Sequence, residues 1–383
     1  MPGPLEGVRV IDLTTVISGP MATMILADQG ATVIKVERPE GDYTRQLSTR
    51  RGGLSASYLN NNRGKKSVVI DLKDPSGLNA VKQLVADADV FVQNFRPGVA
   101  ERLGLGSNAL CSSNPRLIYT SIVGFGFEGP LADKPTYDPL VQAVSSLATV
   151  QAGSDEDRPR LIRTILPDKL TAIQTSQAIV AALLARERSG VGQEIRLSML
   201  DTVVAFLWGS DMNGHTFVND ELHREEAQSF LDLIYGAADG FLSISVMQDK
   251  DWEGLARATG RPDILLDPRF ADAELREVNR EARLTLTQSI VAGFKRDELL
   301  ARLEAAGVPC APALTRTEMR HHPQIAANKT LIEYDHPVAG RLRQARTPAQ
   351  FLGTPTSLPS PAPALGEHTA LILGDTKACE PAK

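Results

Sequence analysis

VRVIDLTTVISGPMATMILADQGATVIKV, residues 8–36, decides the fold. Val8–Leu13 is short and rich in β-branched residues, as a buried strand is. The turn-like Thr14–Pro20 ends it, and Pro20 stands where a helix can begin. Met21–Gln29 has the apolar spacing of a helix, Gly30 stops it, and Ala31–Val36 is a second strand. Strand, helix and strand in so short a span make a parallel pair with a right-handed crossover.

Outward from that unit the alternation continues. Ser67–Leu72 reads as a strand, Pro75–Ala86 as a helix, Asp89–Gln93 and Leu117–Ile122 as strands. Such a series predicts a doubly wound, Rossmann-like α/β sheet with ligands at the carboxyl ends of its strands. Asp138–Ala152 and Asp168–Arg188 read as helices, the second apolar enough to be substantially buried, and Gln193–Ser198 alternates like a strand. The polar stretch 213–226 is a predicted linker. A smaller α+β domain follows: Phe230–Tyr235 and Phe241–Val246 flank a hairpin signal at Asp239-Gly240. Helices are expected at Asp251–Ala258, Glu277–Ala292 and Arg296–Ala306. The expected division is residues 1–220 for the large α/β domain, 221–315 for the small one, and 316–383 for a return segment. From Thr347 that segment is rich in Pro, Thr and Ser and reads as an extended strap.

Composition narrows the function. With 383 residues, 42% hydrophobic and 23% charged, the chain has the makeup of a soluble globular protein of two lobes. A net charge of −5 gives no reason to expect nucleic acid or an acidic membrane as partner. No apolar run reaches the length of a bilayer span, the opening residues do not resemble a signal peptide, and a cytoplasmic location is expected. Three scattered cysteines (Cys111, Cys310, Cys379) argue against a disulfide framework or a cysteine metal site. His321-His322 and His336 read as loop residues rather than metal ligands, so no metal is expected.

The first strand–helix turn, TTVISGP, has a single glycine, so it lacks the phosphate cradle of a dinucleotide site. Glu37 ends the second strand where a ribose-binding acid would stand, but Arg38 beside it suits a phosphate. Lys73, Asn94-Phe95-Arg96 and Arg102 also follow strands. In a parallel sheet these ends share one side, making a cationic rim suited to a phosphorylated small molecule. Asp168, just after Pro167, heads the long helix. From the residues alone it is either an ordinary helix cap or a carboxylate aimed into a pocket as a nucleophile.

VRVIDLTTVISGP, GATVIKVERPEGD, NNRGKKSVVIDLKDPSG, ADVFVQNFRPGVAERLGLG, NPRLIYTSIVGFGFEGP, YDPLVQA, LLARERSGVGQEIRLSMLD, AAGVPCAPALT and LGEHT run in this order along the chain. In that order and spacing they resemble the family III CoA-transferases, a group that includes formyl-CoA transferase, carnitine CoA-transferase and alpha-methylacyl-CoA racemase. The resemblance implies two-lobed subunits interlocked in a homodimer, with acyl-CoA and a carboxylic acid acceptor as partners and no cofactor besides CoA. It assigns Asp168 as the nucleophile that carries CoA between acids. It places Val16, Ile17, Arg38, Ile70, Lys73, Asn94, Phe95, Arg102 and Leu103 at CoA-lining positions, and Tyr137 and Asp138 as an aromatic–acidic pair near the site. The racemase branch has Gly-His-Asp where this chain has Thr136-Tyr137-Asp138, which favours transferase over racemase or isomerase. No glycine-rich run occurs between Leu222 and Ala311, unlike formyl-CoA transferase. A non-catalytic CoA- or nucleotide-binding protein, with Asp168 only a cap, is the remaining alternative.

Overall fold

The structure is a computed structural model that describes residues 3–47, 49–212, 214–218, 233–246, 248–356 and 360–374. Six strands form its main sheet: β1 (Arg9–Asp12), β2 (Thr32–Glu37), β3 (Lys65–Val69), β4 (Val90–Gln93), β5 (Ile118–Val123) and β6 (Gln193–Ser198). They lie in the order β3-β2-β1-β4-β5-β6, every neighbouring pair parallel. The expected strands are all present. β3 alone is displaced, starting at Lys65 instead of Ser67, because the Lys65 ammonium is buried among polar partners rather than left in solvent.

Helices cover both faces, as an all-parallel sheet requires. α1 (Ser18–Asp28), α2 (Pro75–Ala86) and α4 (Leu166–Ser189) pack on the sheet, while α3 (Asp138–Val144) and α5 (Met199–Leu207) share a separate apolar cluster. Successive strand residues face opposite ways. Ile11, Ile34, Val68 and Phe91 therefore join Val81 and Val85 of α2 in one core, while Val10, Val33, Val90 and Val92 join Leu26 of α1 and Ile179 of α4 in another. α1 begins at Ser18, two residues before Pro20, whose missing N–H costs nothing in a first turn. The helix expected over 138–152 breaks after Val144, where Ser146 turns left-handed at φ 65°.

The strand order reverses between β1 and β4, and the crevice beyond their carboxyl ends is where such sheets take ligands. Beneath it lie buried charges. Glu37 is 3% exposed and bound by both forks of Arg45 (2.7 and 2.8 Å), by the Ser67 hydroxyl (2.6 Å) and by the Asp42 amide (3.0 Å). Its carboxylate is used up inside the fold, which removes it as a ribose acid. Arg45 also stacks 3.7 Å from the centre of the Tyr58 ring.

The C-terminal segment closes the free edge of β3. His368 and Gly366 donate amides to the Ser67 carbonyl (2.9 Å) and hydroxyl (3.0 Å), and the Thr369 hydroxyl accepts from the Val69 amide (3.0 Å). Open edges invite unwanted pairing, and this strap covers one. His336, read from sequence as a loop residue, is buried, with Nδ1 accepting the Val338 and Ala339 amides.

Residues 1–228 with 332–383 form one compact unit and residues 229–331 another. The stretch 316–331, expected in the return segment, groups with the smaller unit. Much of the predicted linker, and residues 230–232 of the first small-domain strand, lie outside the described residues. The smaller unit has an antiparallel sheet of β7 (Ile234–Ala237), β8 (Gly240–Ile244) and β9 (Cys310–Pro312), ordered β9-β8-β7. Gly240 pairs with Ala237, so the hairpin turns on Ala238-Asp239 rather than Asp239-Gly240. Helices α6 (Asp249–Thr259), α7 (Arg280–Val291) and α8 (Arg296–Ala305) pack their Trp252, Leu255, Val291, Leu299 and Leu303 against it. Among the described residues no helix is long and apolar enough to cross a membrane.

Removing one partner of a buried ion pair leaves the other charge stranded, at a cost of about 3–5 kcal/mol, whereas replacing both with apolar groups is far milder. Arg45→Met should therefore lower the urea midpoint much more than Arg45→Met combined with Glu37→Leu, and equal losses would contradict this account.

Candidate active site

Asp168 lies in the first turn of α4, whose N-cap, Ile165, makes no side-chain capping bond. Its carboxylate instead shares a cleft wall with Ser18, the first residue of α1, whose amide and hydroxyl pull its pKa down. It thus sits against the positive end of a different helix. Burial, and secondarily the charge of Asp138, raise the Asp168 pKa to about 6, against the opposing pull of Ser18. The helix terminus does not keep this acid in the ordinary carboxylate range, because desolvation and a like charge outweigh it.

Asp138 opens α3 and is 3% exposed. Its Oδ1 accepts from Gln142 Nε2 at 2.7 Å, and its Oδ2 from the Asp168 amide at 3.3 Å. Burial raises its pKa too. Gln142 in turn receives the Ile162 amide at 2.9 Å, tying α3 to the segment that leads into α4. Gly124 lets this assembly close: a Cβ there would lie 2.3 Å from the Thr136 side chain.

The turn between β1 and α1 faces the two acids. Val16 adopts φ 72°, a left-handed conformation rare for a β-branched residue. Side chains satisfy the backbone around it. The Thr14 carbonyl receives Lys35 Nζ (2.7 Å), Thr15 exchanges its amide and carbonyl with the Asn94 carboxamide (2.9 Å each), and the Val16 amide reaches Asp42 Oδ1 (3.4 Å). Gly19 serves close packing, since a Cβ there would meet the Thr14 side chain at 2.2 Å. The glycine of TTVISGP thus folds a helix onto its own turn and cradles no phosphate.

A cleft of about 250 Å³ opens at this point, its walls including Thr15, Val16, Ser18, Asn94, Phe95, Tyr137, Asp138 and Asp168. Six of the expected site residues are among its walls, and Thr15 and Ser18 are among those that sequence reasoning missed. The remaining expected CoA positions lie elsewhere in the same unit. Ile17 is the buried N-cap of α1. Arg38 is exposed after β2, with Nε on the Gly41 carbonyl at 3.0 Å, and Lys73 and Arg102 are exposed beyond β3 and β4. Leu103 is half-buried against the core, and Ile70 is inside it at 1% exposure. Asn94 spends its amide on Thr15, and Tyr137 is 70% exposed at the cleft wall.

A family model described as CoA-transferase family III matches residues 5–369. The chain belongs to CoA-transferase family III. It is 36% identical to a succinate–glutarate CoA-transferase of Agrobacterium fabrum, over 98% of this chain and 96% of that one. It is 35% identical to an acetyl-CoA:oxalate CoA-transferase of Acetobacter aceti, over 99% and 97% respectively. Its fold matches the crystal structure of an aspartate-to-alanine mutant of Rv3272 from Mycobacterium tuberculosis with a TM-score of 0.85 and 33% identity, covering 98% of this chain and 100% of that one. This family III member is a CoA-transferase, and the buried acid pair lies in the cleft where its sheet is expected to take ligand.

A carboxyl whose folded pKa is raised is tolerated best when protonated. Its penalty is absent below the unfolded value near 3.9 and grows as pH rises through about 6. Asp168→Asn should therefore be more stable than wild type at pH 8, by at most roughly 3 kcal/mol, with the gain fading toward pH 4. Thermal melts across that range would show it, and a variant less stable at pH 8 would contradict the shift.

Proposed function

We propose that the enzyme moves CoA from an acyl-CoA to a carboxylic acid with Asp168 as the covalent carrier. A carboxylate oxygen of Asp168 adds to the thioester carbonyl, the C–S bond breaks, and CoA departs as thiolate from a mixed anhydride. The thiolate then attacks the Asp168 acyl carbon, the anhydride C–O bond breaks, and the first acid leaves an aspartyl-CoA thioester. An incoming carboxylate attacks that thioester and expels the thiolate. The thiolate finally takes the acyl group of the second anhydride and frees Asp168. Protons and electrons balance without a further reactant, so the scheme calls for no cofactor besides CoA.

The observation that carries this reading is the Asp168 carboxylate, half-buried in a cleft that Ser18 at the head of α1 also lines. The amide and hydroxyl of Ser18 would serve an oxyanion that forms on the Asp168 carbon, where fixed dipoles stabilise most. With a pKa of about 6 the acid is ionised at neutral pH yet more basic than a free carboxylate. Arg38, Lys73 and Arg102, exposed beyond the carboxyl ends of the Rossmann-like sheet, would meet the CoA phosphates. Short dicarboxylates head the acids to test, supported by the succinate, glutarate and oxalate in the relatives' names and by Arg96 and Lys134 at the cleft. A cytoplasmic homodimer completes the proposal. Ile173 and Leu184 of α4 and Phe206 of α5, each at least half exposed, offer an apolar face for a second subunit.

Incubation with acyl-CoA and mass spectrometry should find CoA on Asp168, and Asp168→Ala should lose the adduct and at least about 10⁴-fold in turnover. Full turnover in that variant would sink the scheme. The acid limb of kcat/KM should fall near pH 6 and move lower in Asp138→Asn, because the like charge that raises it is gone. Light scattering should give twice the chain mass.

A further inference from the structure

The β1–α1 turn is gripped from two sides by side chains bound to its backbone. On one side is Lys35, fully buried in β2, with Nζ 2.7 Å from the Thr14 carbonyl and 3.0 Å from Asp42 Oδ2. The other oxygen of Asp42 accepts the Val16 amide at 3.4 Å and the Thr44 amide and hydroxyl at 2.8 Å. On the other side is Asn94, beyond β4, whose carboxamide closes a two-bond ring on Thr15. The four backbone polar groups from the Thr14 carbonyl to the Val16 amide are thus each bound by a side chain from β2, from the loop after it or from the end of β4. Between the clamps stands the left-handed Val16, and two residues on is Ser18, which lines the same cleft as Asp168.

A strained conformation persists only where its surroundings over-determine it. A misplacement of about 1 Å in a catalytic donor costs roughly a hundredfold. We propose that Lys35, with Asp42, and Asn94 are positioning residues for CoA transfer. They fix the Thr14–Val16 turn and so hold the Ser18 donors on the nucleophile. For Asn94 this is a role separate from lining a CoA site. The inference rests on Asp168 being the carrier.

The test uses Asn94→Ala and the charge-balanced pair Lys35→Met with Asp42→Asn, each alone and combined with Ser18→Ala, in full-length enzyme. The Ser18 amide and hydroxyl lower the Asp168 pKa, so loosening the turn should move the acid limb of kcat above its wild-type position. The expected result is a fall of about 10- to 100-fold in kcat, KM for acyl-CoA within about threefold, and the acid limb raised by half a unit or more. Combination with Ser18→Ala should cost less than the product of the separate losses, since the clamps act through Ser18. An unmoved acid limb in a folded variant, a loss wholly in KM, or strictly multiplicative losses would each overturn the proposal. If the double substitution does not fold, Asn94→Ala decides alone, its half-exposed side chain being the safer to truncate. Asp168→Ala separates the two claims. An active Asp168→Ala removes the carrier itself, while an inactive one beside unchanged clamp variants removes only this inference.

Discussion

A lysine ammonium sealed under a loop is the constraint on which the site depends. Lys35 has no solvent exposure, and its nearest charges are Asp42, Asp12 and Glu37. Burial opposes its charge, but those three acids raise its pKa above the ordinary lysine value. Lys65, bound to Asp12, the Pro20 carbonyl and Asn62, is in the weaker position. Burial is the main cause, Lys35 adds repulsion, and its pKa falls to about 8 despite Asp12. Ion pairs this deep contribute little net stability over apolar residues of the same volume. What these add is placement. One cation holds the Thr14 carbonyl before the β1–α1 turn and the other holds the Pro20 carbonyl after it.

Several unfavourable features converge on that turn. Val16 is left-handed, Asp168 and Asp138 are like charges in a partly buried cleft, and cations lie beneath. Strain and perturbed acids collect at functional sites because function requires arrangements that stability alone would discard. Opposing them are the paired faces of the sheet, where Val10, Val33 and Val90 lie against one helical layer and Ile11, Ile34 and Phe91 against the other. The rigid strands fix where each clamp begins.

The sheet was legible because strand and helix periods differ, and residues 8–36 switch from one to the other and back. Pro75–Ala86 was placed to the residue, since Asp74 caps it and Pro75 opens it. Asp168 was singled out by Pro167 and the long helix behind it, although the same pattern serves for a cap. What stayed hidden were contacts between residues far apart in sequence. Ser18 gives no sign of its neighbour 150 positions away, and the strand expected from Ser67 left Lys65 outside it. One signal was available: Asp12 and Lys35 interrupt runs of β-branched residues that a parallel sheet buries on both faces. A charge breaking such a pattern marks a place where local rules are overridden for function. The same reasoning would have withdrawn Glu37 from the ribose role, since it too ends a strand whose neighbours are buried.

The balance around Asp168 follows from the reaction being reversible. In the proposed scheme its carboxylate attacks a thioester in the first step and is expelled from an anhydride in the last. A more basic carboxylate attacks faster and leaves more slowly, so neither extreme turns over well. Burial and Asp138 push its basicity up while the Ser18 amide and hydroxyl hold it down. The same two donors that restrain the attack also receive the charge when the carboxylate is released. Raising the pKa by burial alone would have left a strong nucleophile with no stabilised exit. Lowering it by donors alone would have left a poor nucleophile. An acid neighbour and a helix terminus acting on one carboxylate meet both demands of the proposed scheme, and the turn that leads to Ser18 is held by the side chains of Lys35 and Asn94.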